Sequence, residues 1–235
     1  MRRTFLALSA ISLVACASTS SRSDSPSLRA RLPSLRVLGV LTPVLEAGTP
    51  LDEPEARDAW KREAEEAVVA AIGTGLQKRG ITVLRLEPQP ATKDGLARLA
   101  RHFDEIAYEV ERRADEDRRP PKKNSFGDLS SLSAVCGVDG FVVASGTVTS
   151  PRGPPRPSTL AGTARSSSKD IAEAAAGSGL SGDESVGLAW IAAGIVDVSG
   201  ELLWFATEGT PGEEDPDPAP DVARELAESL PGRAR

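Results

Sequence analysis

Leu35-Arg36-Val37-Leu38-Gly39-Val40-Leu41 and Ile81-Thr82-Val83-Leu84-Arg85-Leu86 bracket a stretch of helical periodicity, and this order of strand, helix and strand decides the fold class. The first run is apolar on both faces, as a central strand requires, and it stops at Thr42-Pro43. A loop rich in glycine and proline follows. Asp52 and Glu55 then have the spacing of a capping box, with Pro54 in the first turn of the helix they predict. Trp60, Ala64, Ala67, Val68, Ala71, Ile72 and Leu76 recur at three- and four-residue intervals, leaving Lys61, Arg62, Glu65 and Glu66 outside. Gly80 is placed to end that helix, and the second strand starts directly after it. The three elements make a βαβ unit.

The same patterns extend towards the C-terminus. A second helix is predicted from Lys93 to Asp117, with Leu96, Leu99, Phe103, Ile106, Val110 and Ala114 as its apolar stripe and Pro120-Pro121 as its stop. Phe126, Leu129, Leu132 and Val135 suggest a short third helix. Val138-Asp139-Gly140-Phe141-Val142-Val143-Ala144-Ser145-Gly146-Thr147-Val148 is the strongest strand signal of the chain. Two further apolar runs, 186–197 and 201–206, meet at Val198-Ser199-Gly200 and read as a hairpin. The expected fold is therefore a single three-layer α/β domain over residues 35–207: a mixed sheet of about five strands flanked by helices, with a C-terminal hairpin. Residues 150–185, rich in Pro, Gly, Ser and Ala, read as a disordered insertion. Residues 208–235 read as an acidic tail compatible with a short helix near 219–230.

The N-terminus says where the protein is delivered. Arg2-Arg3, an apolar run from Phe5 to Val14 broken only by Ser9 and Ser12, and small residues before a cysteine form a secretory signal. The run is about half the ~20 apolar residues of a spanning helix. Leu13, Val14, Ala15 and Cys16 match a lipobox at all four positions, the signal-peptidase recognition residues being Leu13, Val14 and Ala15. An ordinary secretory cut at Ala15-Cys16-Ala17 also fits a small-x-small site, but the four-position match favours lipidation. Cys16 then becomes the N-terminus and carries diacylglycerol and an amide-linked acyl chain such as palmitate, enough for stable anchoring. Ala17, in place of an aspartate, favours an outer-membrane lipoprotein facing the periplasm over inner-membrane retention. The Ser-rich segment 17–34 reads as a flexible tether.

Removing residues 1–16 leaves 26 of the 28 basic residues against 34 acids, a net charge of about −8. That argues against nucleic acid or a general anionic-lipid surface as a partner. With Cys16 lipidated, Cys136 cannot form an internal disulfide, and between Val135 and Gly137 it reads as a small buried residue.

Candidate chemical motifs fail on context. Gly177-Ser178-Gly179-Leu180-Ser181-Gly182 has the letters of a dinucleotide fingerprint but follows no strand and opens no helix. Ser166-Ser167-Ser168-Lys169 has a penicillin-recognising spacing without its S-D-N or K-T-G partners. His102, the sole histidine, falls outside the apolar stripe of its helix, and the mixed charges of 111–123 read as a solvated face. No catalytic constellation, metal site or cofactor is expected, and the chain reads as a non-enzymatic module.

The order of segments carries a resemblance. Gly137-Val138-Asp139-Gly140-Phe141-Val142-Val143-Ala144-Ser145-Gly146-Thr147-Val148 and Ile195-Val196-Asp197-Val198-Ser199-Gly200-Glu201-Leu202-Leu203-Trp204 are similar to the patterns G-A-D-x-x-[LV]-x-G-x-V and D-x-x-[ST]-G-E-[LV]-[LV]-W. These resemble the envelope lipoproteins related to the curli-secretion protein CsgG and the penicillin-binding-protein activator LpoB. The resemblance covers roughly Leu35 to Ala206 and departs at Leu41-Thr42-Pro43, which lacks the usual phenylalanine, and at the insertion. No long amphipathic hairpin able to line a pore is visible. The resemblance implies a small α/β domain that binds a protein partner of the cell envelope, alone or as a homo-oligomer or subunit of a secretion complex; an envelope hydrolase is the remaining alternative.

Overall fold

A computed structural model describes residues 20–48, 54–112, 125–149, 188–211 and 218–232. The elements are β1 (Ser21–Asp24), α1 (Leu28–Arg31) running into a 3-10 turn (Leu32–Ser34), β2 (Val37–Leu41), β3 (Val44–Gly48), α2 (Pro54–Gln77), β4 (Thr82–Leu86), α3 (Lys93–Arg112), α4 (Ser130–Cys136), β5 (Gly140–Thr149), β6 (Leu188–Asp197), β7 (Leu202–Pro211) and α5 (Ala219–Ser229). The seven strands form one mixed sheet in the order β1-β7-β6-β5-β2-β4, with β3 also on β5. Parallel pairing of β2 with β4 and β5, and antiparallel pairing of β5, β6, β7 and β1, make this the expected α/β architecture.

Alternation along the strands sends side chains into two cores. Leu38, Val40, Val142, Ala144, Ile191, Ala193, Ile195, Trp204 and Ala206 face the layer of α1, α2 and α5, meeting Ala64, Val68, Ile72 and Leu76 of the predicted α2 stripe. Leu41, Phe141, Val143, Ala192, Val196 and Phe205 face Leu96, Leu99, Phe103, Ile106 and Val110 of α3. The turn before β4 holds Gly80 at φ +73°, a left-handed conformation that ends α2 where the sequence places its stop.

Two strands exceed the five expected. β3 lies in the segment read as a Gly- and Pro-rich loop. Leu38 pairs with Gly140 and Val44 with Ser145, so the offset to β5 falls from 102 to 101 residues between β2 and β3. One extra residue is therefore bulged out at Thr42-Pro43, where proline needs no ladder partner, and β3 resumes the same edge of β5. β1 lies in the segment read as a tether, and that expectation is corrected: residues 21–34 are folded. Leu28, Leu32 and Leu35 are buried at 3–4% exposure, and β1 pairs with β7 from Ser21↔Thr207 to Asp24↔Trp204.

The tail boundary moves as well. β7 continues to Pro211, and α5 is a core helix: Ala219, Val222, Ala223, Leu226 and Ala227 are buried against α2. Gly75 of α2 permits the contact, because a Cβ there would lie 3.1 Å from the Ala227 Cβ. Arg79 fastens the far ends of the two helices by donating to the carbonyls of Gly75 (2.8 Å) and Glu228 (2.9 Å). The third helix is shorter than the sequence suggests. It spans Ser130–Cys136, leaves Val135 62% exposed, and packs Phe126, Leu129, Leu132 and Cys136 on the α3 core. The extension of α3 towards Asp117, the insertion 150–185 and the acidic stretch 212–217 lie outside the described residues.

Candidate functional site

Among the described residues, a polar cluster binds the N-terminal strap, residues 20–34, to the β6–β7 turn. Asp197 ends β6 with its side chain 3% exposed. Its carboxylate accepts from the Arg31 guanidinium, from Ser199 Oγ (2.7 Å) and from the Glu201 backbone N–H (2.9 Å). Backbone bonds Asp197 N–H to Glu201 O and Gly200 N–H to Asp197 O, both 3.0 Å, close the turn. A buried carboxylate needs such a set of donors to offset its lost hydration.

Glu201 is the second acid. Its Oε1 accepts from Ser25 Oγ and Ser27 Oγ, each at 2.5 Å, and its Oε2 lies 3.7 Å from Arg31 Nη2. The Ser25 and Ser27 hydroxyls hold the Glu201 carboxyl below the usual carboxylate range, and the Arg31 charge adds to this. The serines that made the segment look like a tether are thus the donors that fix it. Beneath them Leu28 and Leu32 enter the core, each contributing about 1.5–3 kcal/mol by burial.

The turn is held from its other side too. Phe126 N–H donates to Gly200 O (2.8 Å) and Leu129 N–H to Val198 O (2.9 Å). Gly200 has φ +80°, and a Cβ on it would stand 1.9 Å from the Gly127 carbonyl oxygen, so glycine is required twice over. At the same end of the sheet Asp139 Oδ2 accepts from the backbone N–H of Arg36 (2.8 Å) and Val37 (2.9 Å), setting the start of β2 beside β5. The motifs around Asp139 and Asp197-Val198-Ser199-Gly200-Glu201 therefore fix backbone and strap.

Other candidates resolve as structure. Ser145 Oγ, on β5, donates to Asp104 Oδ1 of α3 and ties the helix to the sheet. His102 does not join them: its ring meets Phe126 edge-on at 4.8 Å and its Nδ1 lies 3.4 Å from Glu105 Oε2. Cys136 is half-buried on the α3 core, and burial pushes its thiol above its ordinary pKa, away from a reactive thiolate. Among the described residues no cluster of three or more His, Cys, Asp or Glu is arranged to hold a metal ion.

Near the opposite end of β7, Glu208 is 7% exposed. Burial, with the Glu225 carboxylate of α5 opposing it, raises its pKa to about 7. Sequence reasoning missed Glu208, Arg31, Ser25 and Ser27. The signal available for the strap was the spacing of Leu28, Leu32 and Leu35; for Glu208 it was its place as the second residue beyond Ala206 on an alternating strand. Leu13, Val14, Ala15 and Cys16, the glycine-rich run 177–182 and the Ser166–Lys169 stretch lie outside the described residues.

No protein-family model matches the chain, and a comparison with curated proteins finds no match. Among solved structures it is similar to the PelC dodecamer from Paraburkholderia phytofirmans at 14% identity and a TM-score of 0.43, over 93% of this chain and 100% of that one. A single-substitution variant of the same PelC protein in another crystal form, also 14% identical, gives a TM-score of 0.42 with the same coverage.

Proposed function

We propose that the protein is a bacterial envelope lipoprotein, anchored through lipid on Cys16 and facing the periplasm from the outer membrane, whose α/β domain is a non-enzymatic binding or assembly module. The observation that carries the anchoring is the four-position match Leu13-Val14-Ala15-Cys16 after a basic, apolar leader. The domain supports a binding role through the use it makes of its polar residues. Asp197, Glu201, Ser25, Ser27 and Arg31 are committed to one another and to the backbone, so their hydrogen-bonding capacity serves a rigid attachment of the strap. A module fastened this way delivers a rigid surface to a partner protein at the membrane.

Replacement Cys16→Ala is expected to abolish labelling by an alkyne-palmitate analogue and to leave uncut or soluble protein. Persistent labelling of that variant would overturn the anchor. The binding role is tested by in-cell crosslinking and affinity capture with the wild-type chain against Cys16→Ala: a partner recovered only with the anchored form supports it. Hydrolytic turnover of peptidoglycan, ester or peptide substrates by the purified domain would instead establish the envelope-hydrolase alternative.

One observation favours a second reading, a subunit of a homo-oligomeric assembly. β4 ends the sheet order, pairs with β2 on one side, and presents Leu84 at 40% exposure. An edge strand with an exposed leucine is a template for pairing with another copy.

A further inference from the structure

β4 closes one side of the sheet, and a single bond fixes which of its backbone groups are free. Thr82 N–H donates to Arg36 O (2.8 Å), and β2 and β4 pair in parallel from Val37↔Thr82 to Leu41↔Leu86. Backbone groups alternate sides along a strand, so Thr82, Leu84 and Leu86 bond to β2. The N–H and C=O of Val83 and Arg85 therefore point out of the sheet. Among the described residues β4 pairs with β2 alone. The chain is continuous from α2 through β4 to α3, so this edge is not a place where an undescribed segment leaves the fold.

The side chains leave the edge open to a partner strand. Arg85, a charge that could block pairing, is turned back onto α2, where it donates to both carboxylate oxygens of Glu66 at 2.6 Å. Leu86 leans inward over Gly39, where a Cβ would stand 2.4 Å from Leu86 Cδ1. Leu84, between them, stays 40% exposed while α3 packs across β5. We propose that β4 pairs antiparallel with β4 of a second copy of this chain, about a two-fold axis at Leu84. This pairing rests on the homo-oligomeric reading above and deepens it with a partner strand and a register. The two Leu84 residues then face each other as a non-hydrogen-bonded pair, with Cα atoms about 4.5 Å apart. Val83 and Arg85 exchange both their bonds with the partner's Arg85 and Val83, which satisfies every free group of the two edges. An axis at Arg85 would set like charges directly opposite each other, and one at Val83 would set Leu84 against Thr82. Such a self-complementary contact closes at two copies.

The test uses the full chain in the membranes of cells that produce it. Leu84→Cys with Cys136→Ala is expected to form a disulfide-linked dimer on mild oxidation, over a parent carrying Cys136→Ala alone, because a Cα separation of about 4.5 Å lies within a disulfide's reach. Thr82→Cys with Cys136→Ala is the control. In this register the two copies of residue 82 are offset by four residues, about 13 Å along the strands, so the yield should be at least tenfold lower. Residue 82 lies opposite the partner's residue 86, and chains carrying Thr82→Cys should link to co-produced chains carrying Leu86→Cys. Comparable yields from positions 82 and 84, or no link at 84 and none in the mixed pair, in a chain that sediments as an oligomer overturn the β4 pairing and leave assembly to another surface. Sedimentation of the wild-type chain as a monomer overturns the homo-oligomeric reading and the pairing together.

Discussion

Asp197 and Glu201 stand four residues apart and do different work. Asp197 is buried and saturated by three donors, so Asp197→Ala removes the acceptor for Arg31, Ser199 and the Glu201 N–H together. We expect a loss of about 2–4 kcal/mol in urea unfolding; a change below about 0.5 kcal/mol would show that the cluster contributes no stability. Glu201 and Glu208 respond to pH with opposite signs. The Glu201 pKa is lowered on folding, so its contribution is present above the unfolded carboxyl pKa of about 4.5 and is lost as the pH falls through its folded value. The Glu208 pKa is raised to about 7, so its favourable contribution is complete below about 4.5 and is lost as the pH rises to about 7. Glu208→Gln should therefore flatten the fall in stability between pH 5 and 7 and exceed the wild type by about 2–3 kcal/mol near pH 8. Parallel wild-type and Glu208→Gln curves across that range would exclude this titration. Neither role was legible beforehand, since a carboxylate's partners come from distant segments.

At the level of elements, the strap is the part with separable behaviour. Leu28 and Leu32 sit one helical turn apart and share the core beneath β6 and β7. Leu28→Ala should cost about 2–4 kcal/mol and speed amide exchange at Arg22–Asp24 before the rest of the sheet. Exchange unchanged there, with global stability reduced, would mean that the strap and sheet unfold as one unit. The helices were legible because their apolar residues recur every three or four positions over long stretches, and of those stripes α2 buries Ala64, Val68, Ile72 and Leu76 and α3 buries Leu96, Leu99, Phe103, Ile106 and Val110. β3 was not, because Thr42-Pro43 and Glu46 interrupt its pattern and only the partner β5 restores the register. The short α4 kept its inner face, Leu129 and Leu132, while Val135 turned outward.

For the molecule as a whole, the surface that matters is the open β4 edge. If the edge pairs copies, Leu84→Lys should convert the assembly to monomer in light scattering on the chain lacking residues 1–16, with unchanged far-ultraviolet dichroism. A wild-type monomer under the same conditions would remove the oligomeric reading. The edge also bears Arg85, which donates to both carboxylate oxygens of Glu66 on α2 at 2.6 Å. This pair is exposed, so pairing across the edge must build around it rather than displace it.

The sequence by itself determined what is written in local pattern: the βαβ order, the buried faces of α2 and α3, and the β6–β7 hairpin with its Ser199-Gly200 turn. Tertiary structure alone decided that residues 21–34 and 219–230 belong to the domain. The physical reason is that β1 is held by backbone ladder bonds and the segment after it by the Ser25 and Ser27 hydroxyls on Glu201, neither of which depends on an apolar alternation. The leucines of the strap and the alanines of α5 become core only where β6, β7 and α2 supply the surface that receives them.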